Sequence, residues 1–294
     1  MTDIFDNQLV PIFVLGVRSN YRGYLLESQL KKLGVVFKNV WGLEVSDFDT
    51  EFLDSLMNTK KSKFLRGRGL TYGELSCSLG HLEMYEEFLL TNKNWGFFLE
   101  DDTTLHQSFD LHKLINSLPQ DMPPTIVSLA NSANEDFEPR PFPFLERRLI
   151  IAETIEFKQC GVAPVGAYAY LMNRPAAQVA THELRSRRVY SVADFPFQFR
   201  NLVDFFASQS DFVVTGKQPS LLDEARVELT QRDHYKKWHN NLNRRLRVLF
   251  DYSGIGILVA KHLDLSGRAY VNEFVLLRAE YKRFCKGKSS KFVR

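Results

Sequence analysis

The apolar run Trp95-Gly96-Phe97-Phe98-Leu99 passes without transition into three acids, Glu100-Asp101-Asp102. Such a run reads as a strand buried on both faces, and three ionised carboxylates cannot follow it into a core. The strand must end at a surface or a cleft. Just before it, Thr71 and Glu74 form a T-x-x-E capping box, and Leu75, Leu79, Leu82 and Tyr85 recur at helical spacing. The pattern predicts a helix from Thr71 to about Thr91. Val10–Val17 and Val35–Trp41 read as further strands, separated by a helical run from Tyr21 to Leu33, and Thr125–Leu129 reads as another strand. Strands alternating with helices predict an α/β layer around a mostly parallel sheet, and ligands bind such sheets at the carboxyl ends of the strands.

The second half is less regular. Glu135–Phe144 holds three prolines and reads as a loop, Leu149–Phe157 and Val165–Met172 as strands, and Phe212–Thr215 as a short strand; a helix opens near Pro175. With 44% apolar and 25% charged residues the chain has the composition of a globular protein, which excludes disordered and coiled-coil classes. Its three cysteines, Cys77, Cys160 and Cys285, are too few and too scattered for a disulfide framework, and no two of them stand at zinc-ligand spacing. This fits a reducing compartment. Met1–Gln8 carries acids where a signal peptide would be basic, and no run approaches the ~18 apolar residues of a membrane span. A cytoplasmic location is expected.

Charge divides the chain. Residues 225–294 hold 16 Lys and Arg against 6 Asp and Glu, a net of +10, whereas residues 1–224 hold 22 against 29, a net of −7. We therefore expect an α/β domain over 1–224 and a basic, mainly helical region over 225–294. The basic region suits either a solvated helical face or a polyanionic partner. Val248–Leu265 is apolar-rich but interrupted, and suits the plane of an anionic membrane surface, peripheral on the inner leaflet. Nucleic acid is not expected as a partner, because the aromatics of the basic region are not interleaved as stacking platforms.

On an extended segment Glu100 and Asp102 share a face while Asp101 points away. Packed carboxylates repel unless a cation lies between them, and hard divalent ions prefer oxygen ligands. The alternatives are an acid cluster at a helix N-terminus or a solvated turn. Arg18 and Arg22, after the first strand, suit either phosphates or surface salt bridges; Arg66 and Arg68, beside Gly67 and Gly69, form either a phosphate-closing loop or a linker. Glu74 has a sufficient role in the cap, and His81 follows it at a seven-residue spacing on the same helical side.

The ordered set Leu70, Thr71, Gly73, Glu74, Cys77 and His81, followed by Glu100-Asp101-Asp102, closely resembles glycosyltransferase family 25, the lipooligosaccharide-type galactosyl- and glucosyltransferases. Ile12–Gly42 resembles that family's opening strand, arginine-bearing loop, helix and second strand. Gly166-Ala-Tyr-Ala-Tyr-Leu-Met-Asn resembles a later strand, with Asp194 in the place of a downstream aspartate, and Gly80 stands where the family usually has serine. The resemblance implies a GT-A-like fold, a nucleotide-binding sheet with helices on both faces. It also implies inverting transfer of a hexose from a UDP-sugar to a hydroxyl of a glycan or lipid-linked oligosaccharide acceptor. Glu100 and Asp102 would then hold Mn2+ or Mg2+, with Asp101, Arg18, Arg22, Arg66 and Arg68 around the UDP-sugar. Asp194 would be the base, with Glu74 and His81 as the other catalytic candidates. A non-catalytic glycan- or nucleotide-binding relative is the alternative.

Overall fold

The structure, a computed structural model, describes residue 5 and residues 8–66, 68–107, 109–129, 144–151, 155–160, 166–193, 199, 202–208 and 212–215. All lie in the first of the chain's two units, Met1–Thr230 and Gln231–Arg294. Ten strands and six α-helices are described. The strands are β1 Ile12–Gly16, β2 Phe37–Trp41, β3 Trp95–Glu100, β4 Thr103–Leu105, β5 Thr125–Ser128, β6 Phe144–Ile151, β7 Ile155–Cys160, β8 Ala169–Asn173, β9 Asp204–Ser208 and β10 Val213–Thr215. The helices are α1 Tyr24–Lys32, α2 Thr50–Leu56, α3 Thr59–Arg66, α4 Tyr72–Leu90, α5 Leu111–Asn116 and α6 Arg174–Arg185. The expected basic helices of 225–294 and the stretch Val248–Leu265 lie outside the described residues.

Eight strands form one sheet in the order β2-β1-β3-β8-β5-β9-β7-β6, and β4 pairs with β10 apart from it. The sheet is mixed. β1 is parallel to β2 and β3, and β5 to β9, whereas β8 is antiparallel to both its neighbours, and β7 to β6 and β9. This corrects the expectation of a mostly parallel sheet. Parallel neighbours require a crossover connection, and between β6, β7 and β8 no helix is described. The same region corrects a second expectation: Leu149–Phe157 is not one strand but the meeting of β6 and β7.

Side-chain alternation divides the buried apolar residues between two faces. Phe13, Phe98, Tyr170 and Met172 pack with Met84, Tyr85 and Phe88 of α4 and Ala176 and Ala180 of α6. Ile12, Val14, Phe97, Leu99 and Leu171 pack with Leu26 and Leu30 of α1 and Leu111 and Leu114 of α5. Helices on both faces, as expected, therefore bury every residue of β1 and β3 except the terminal Glu100. Gly80 lets α4 approach closely: a Cβ there would run into the Leu15 side chain and stand 3.3 Å from Gly42 Cα. Packing, with no call on chemistry, explains glycine at this position.

Candidate active site

Parallel β1, β2 and β3 carry their carboxyl ends to one edge of the sheet. There the Asp101 amide donates to Leu15 O at 2.8 Å, the Gly42 amide to Gly16 O at 2.9 Å and the Glu100 amide to Tyr168 O at 2.8 Å. These bonds fix the turn of three acids against the loop that follows β1. Gly16 is needed here, since a Cβ would meet the Tyr21 ring at 2.6 Å and Asp101 Oδ2 at 3.1 Å. From that loop the Arg22 amide donates to Asp101 Oδ2 at 3.0 Å, and Arg22 Nη2 lies 3.1 Å from Asp102 Oδ2 and 3.7 Å from Asp101 Oδ1. The sequence thus named Arg22, Asp101 and Asp102, and the fold brings the three together.

The electrostatics of the group are unbalanced. Burial pushes the Asp102 carboxyl up to about 6; Glu100 and Asp101 push the same way, and Arg22 opposes them. Asp101 is raised too, chiefly by burial, while Arg22 pulls it down. One guanidinium faces two carboxylates with a third beside them. Asp102 Oδ1 is buried with no hydrogen-bond partner. A buried carboxylate oxygen without a donor is costly, and a cation would satisfy it. The all-oxygen donor set suits a hard divalent ion such as Mn2+ or Mg2+. On this observation the unpartnered Asp102 oxygen suits a cation.

Glu100 also faces α4. His81 Nε2 lies 3.0 Å and Cys77 Sγ 3.9 Å from its Oε1. His81 Nδ1 lies 2.8 Å from the Tyr170 hydroxyl, which donates to the Tyr85 hydroxyl at 2.8 Å. Burial raises both phenols. Helical spacing puts Cys77, His81 and Tyr85 on the face that meets β3 and β8. Tyr85 and Tyr170 were not among the sequence-derived site residues. The period of two along Gly166–Asn173 puts Tyr170 and Met172 on one face, but only the pairing of β8 with β3 makes that the face of Phe98.

The remaining candidates lie elsewhere. The Glu74 amide donates to Thr71 Oγ1 at 3.0 Å and the Thr71 amide to Glu74 Oε2 at 3.0 Å, completing the capping box. Arg68 donates to both Glu74 oxygens, at 2.7 and 2.6 Å, and the Glu74 side chain is only 1% exposed. The contacts of Glu74 and His81 are therefore distinct despite their seven-residue spacing. Arg18 is exposed, its guanidinium 5.6 Å from the Trp41 ring centroid, and Tyr21 stands edge-on to the same ring at 5.2 Å. Arg66 ends α3, but its side chain lies outside the described residues, as does the whole of Asp194.

A half-buried arginine–carboxylate cluster stands at the carboxyl ends of parallel strands in an α/β protein, the class in which ligands bind at the sheet edge. The chain belongs to glycosyltransferase family 25, described as LPS biosynthesis protein, which it matches over residues 10–194. Among solved structures it is similar to a glycosyltransferase involved in the glycosylation of the major capsid of PBCV-1. The likeness has 11% identity and a TM-score of 0.31, and covers 60% of this chain and 66% of that one. No curated protein sequence matches the chain. Among the described residues, no helix is long and apolar enough to cross a membrane.

Proposed function

We propose that the chain is a metal-dependent, inverting hexosyltransferase of GT-A-like fold. It moves galactose or glucose from a UDP-sugar to a hydroxyl of a glycan acceptor in lipopolysaccharide or lipooligosaccharide assembly. The observation that carries this reading is Asp102: a half-buried carboxyl, raised in pKa, whose buried Oδ1 lacks a partner, beside Arg22, in a chain of this family.

Asp102 and Glu100 would hold Mn2+ or Mg2+, which when bound supplies Lewis-acid neutralisation of charge on the departing diphosphate. Arg22, fixed by Asp101 and Asp102, presents a planar fork suited to a phosphate at the same edge. Arg18 and Arg66 stand as further phosphate contacts. Arg68 does so only by leaving Glu74. Inversion requires the acceptor oxygen to attack the anomeric carbon opposite the leaving diphosphate. The new C–O bond forms as the bond to the diphosphate breaks, and the hydroxyl proton passes to a base, for which Asp194 is the choice. Work on a lipid-linked acceptor would suit the cytoplasmic face of the membrane, with the basic 225–294 region against anionic lipid.

Calorimetric titration with UDP, with and without manganese, tests this on the wild type and Asp102→Asn. Manganese-dependent binding in the wild type that is lost in the variant supports the proposal. Equal binding by both proteins with no effect of metal overturns it.

A further inference from the structure

We propose that Cys77, His81 and Glu100 form a second cation site, for a borderline transition metal of the zinc class, where α4 meets the end of β3. The three ligand atoms all lie within 4.8 Å of one another. Cys77 and His81 stand four residues apart on one helix face, and Glu100 closes the triangle from the neighbouring strand.

The spacing suits the ion. Zinc bonds of about 2.0–2.3 Å in a tetrahedron place ligand atoms roughly 3.3–3.8 Å apart. His81 Nε2 and Cys77 Sγ lie 3.0 and 3.9 Å from Glu100 Oε1 and within 4.8 Å of each other, so side-chain adjustments of up to roughly an ångström bring the three atoms to tetrahedral spacing. The chemistry also discriminates. One thiolate, one imidazole and one carboxylate form a set that magnesium and manganese do not favour and zinc does. A ligating histidine normally gives its second ring nitrogen to an outer partner that fixes the ring. His81 has such a partner in Tyr170, 2.8 Å from Nδ1, itself anchored on Tyr85. Among the described residues three protein ligands converge, and the Glu100 side chain is 26% exposed, which gives water access to a fourth position. Glu100 is the one carboxylate common to this site and to the cation site of the proposed function. Cys77 and His81 belong to the former alone and Asp102 to the latter.

The test uses full-length protein stripped by chelation, kept reduced and titrated with Co2+. We expect saturation at one ion per chain with a thiolate-to-cobalt charge-transfer absorption, and stoichiometric displacement by zinc. Cys77→Ser should abolish that absorption with an unchanged circular dichroism spectrum, and His81→Gln should weaken cobalt binding at least ~10-fold, as removal of one metal ligand or its support does. Asp102→Asn should keep the absorption, and Cys77→Ser should keep manganese-dependent UDP binding. A folded wild type with no charge-transfer absorption, or an absorption unchanged in Cys77→Ser, overturns the zinc-class site and leaves the transferase reading standing. UDP binding that is insensitive to manganese and to Asp102→Asn has the converse result.

Discussion

Replacing Asp102 with asparagine should change the stability of the metal-free protein in a pH-dependent way. In the folded chain the Asp102 carboxyl is pushed up to about 6 from an ordinary 3.8. An acid with a raised folded pKa binds its proton more tightly when folded. Its stabilising contribution is therefore complete below about pH 4 and is lost as pH rises through about 6. The shift of about two units, at about 1.36 kcal/mol each, sets the loss at about 3 kcal/mol. Asparagine does not titrate. Packing differences between the two side chains are the same at every pH, and the influence of Arg22, Asp101 and Glu100 is already contained in the shifted pKa. The comparison of two pH values thus isolates the carboxyl. Asp102→Asn should gain on the wild type by up to about 3 kcal/mol between about pH 4 and about pH 8. At roughly 2–4 °C per kcal/mol for a domain of this size, that is about 6–12 °C in Tm. Thermal melts of both proteins across that range, with chelator present, measure it. Excess manganese at about a hundred times its Kd should return about 2.7 kcal/mol to the wild type at neutral pH and nothing to the variant. A Tm difference that does not change with pH would refute the reasoning, because it would mean that Asp102 ionises in the folded chain as freely as in the unfolded one.

Asp194→Asn should slow transfer by ~10²–10⁴-fold while UDP affinity stays near normal; single-turnover assays beside calorimetry decide, and near-normal transfer removes Asp194 from the reaction. Arg68→Met removes both guanidinium hydrogen bonds from the buried Glu74 carboxylate and should cost about 3 kcal/mol in urea unfolding, as breaking a buried pair does. A loss below about 1 kcal/mol would place the pair among surface bridges. Changing Lys282, Arg283, Lys286, Lys288 and Lys291 to glutamine should remove about 1 kcal/mol of attraction per residue to anionic vesicles. Co-sedimentation that is equal for both proteins at low salt would end the membrane reading.

The features legible in the sequence are those fixed by neighbours along the chain. The capping box of α4 is a contact across three residues, and it stands as Thr71 and Glu74 imply. Pro175 opens α6, and Asn173 caps it. β1, β3 and β5 announce themselves as apolar runs, and the abrupt change after Leu99 marks where β3 leaves the core. Even the meeting of Arg22 with Asp101 and Asp102 was within reach, because loops at the carboxyl ends of adjacent parallel strands converge.

The rest depended on sheet order. α2, α3, α5, β4 and β9 are short and owe their form to tertiary packing, so no local period betrays them. Nothing in Gly166–Asn173 says that β8 inserts antiparallel between β3 and β5, yet that placement alone sets Tyr170 over His81 and the Tyr168 carbonyl under Glu100. The sequence by itself determined which residues are charged, which runs are buried and where helices begin, since propensity and capping act over a few residues. Only the tertiary structure decided that Arg68 serves Glu74 and that Glu100 faces both Cys77 and His81. Side chains far apart along the chain meet only where strand pairing puts them, and that pairing is settled by the burial of whole faces, not by any one residue's preference.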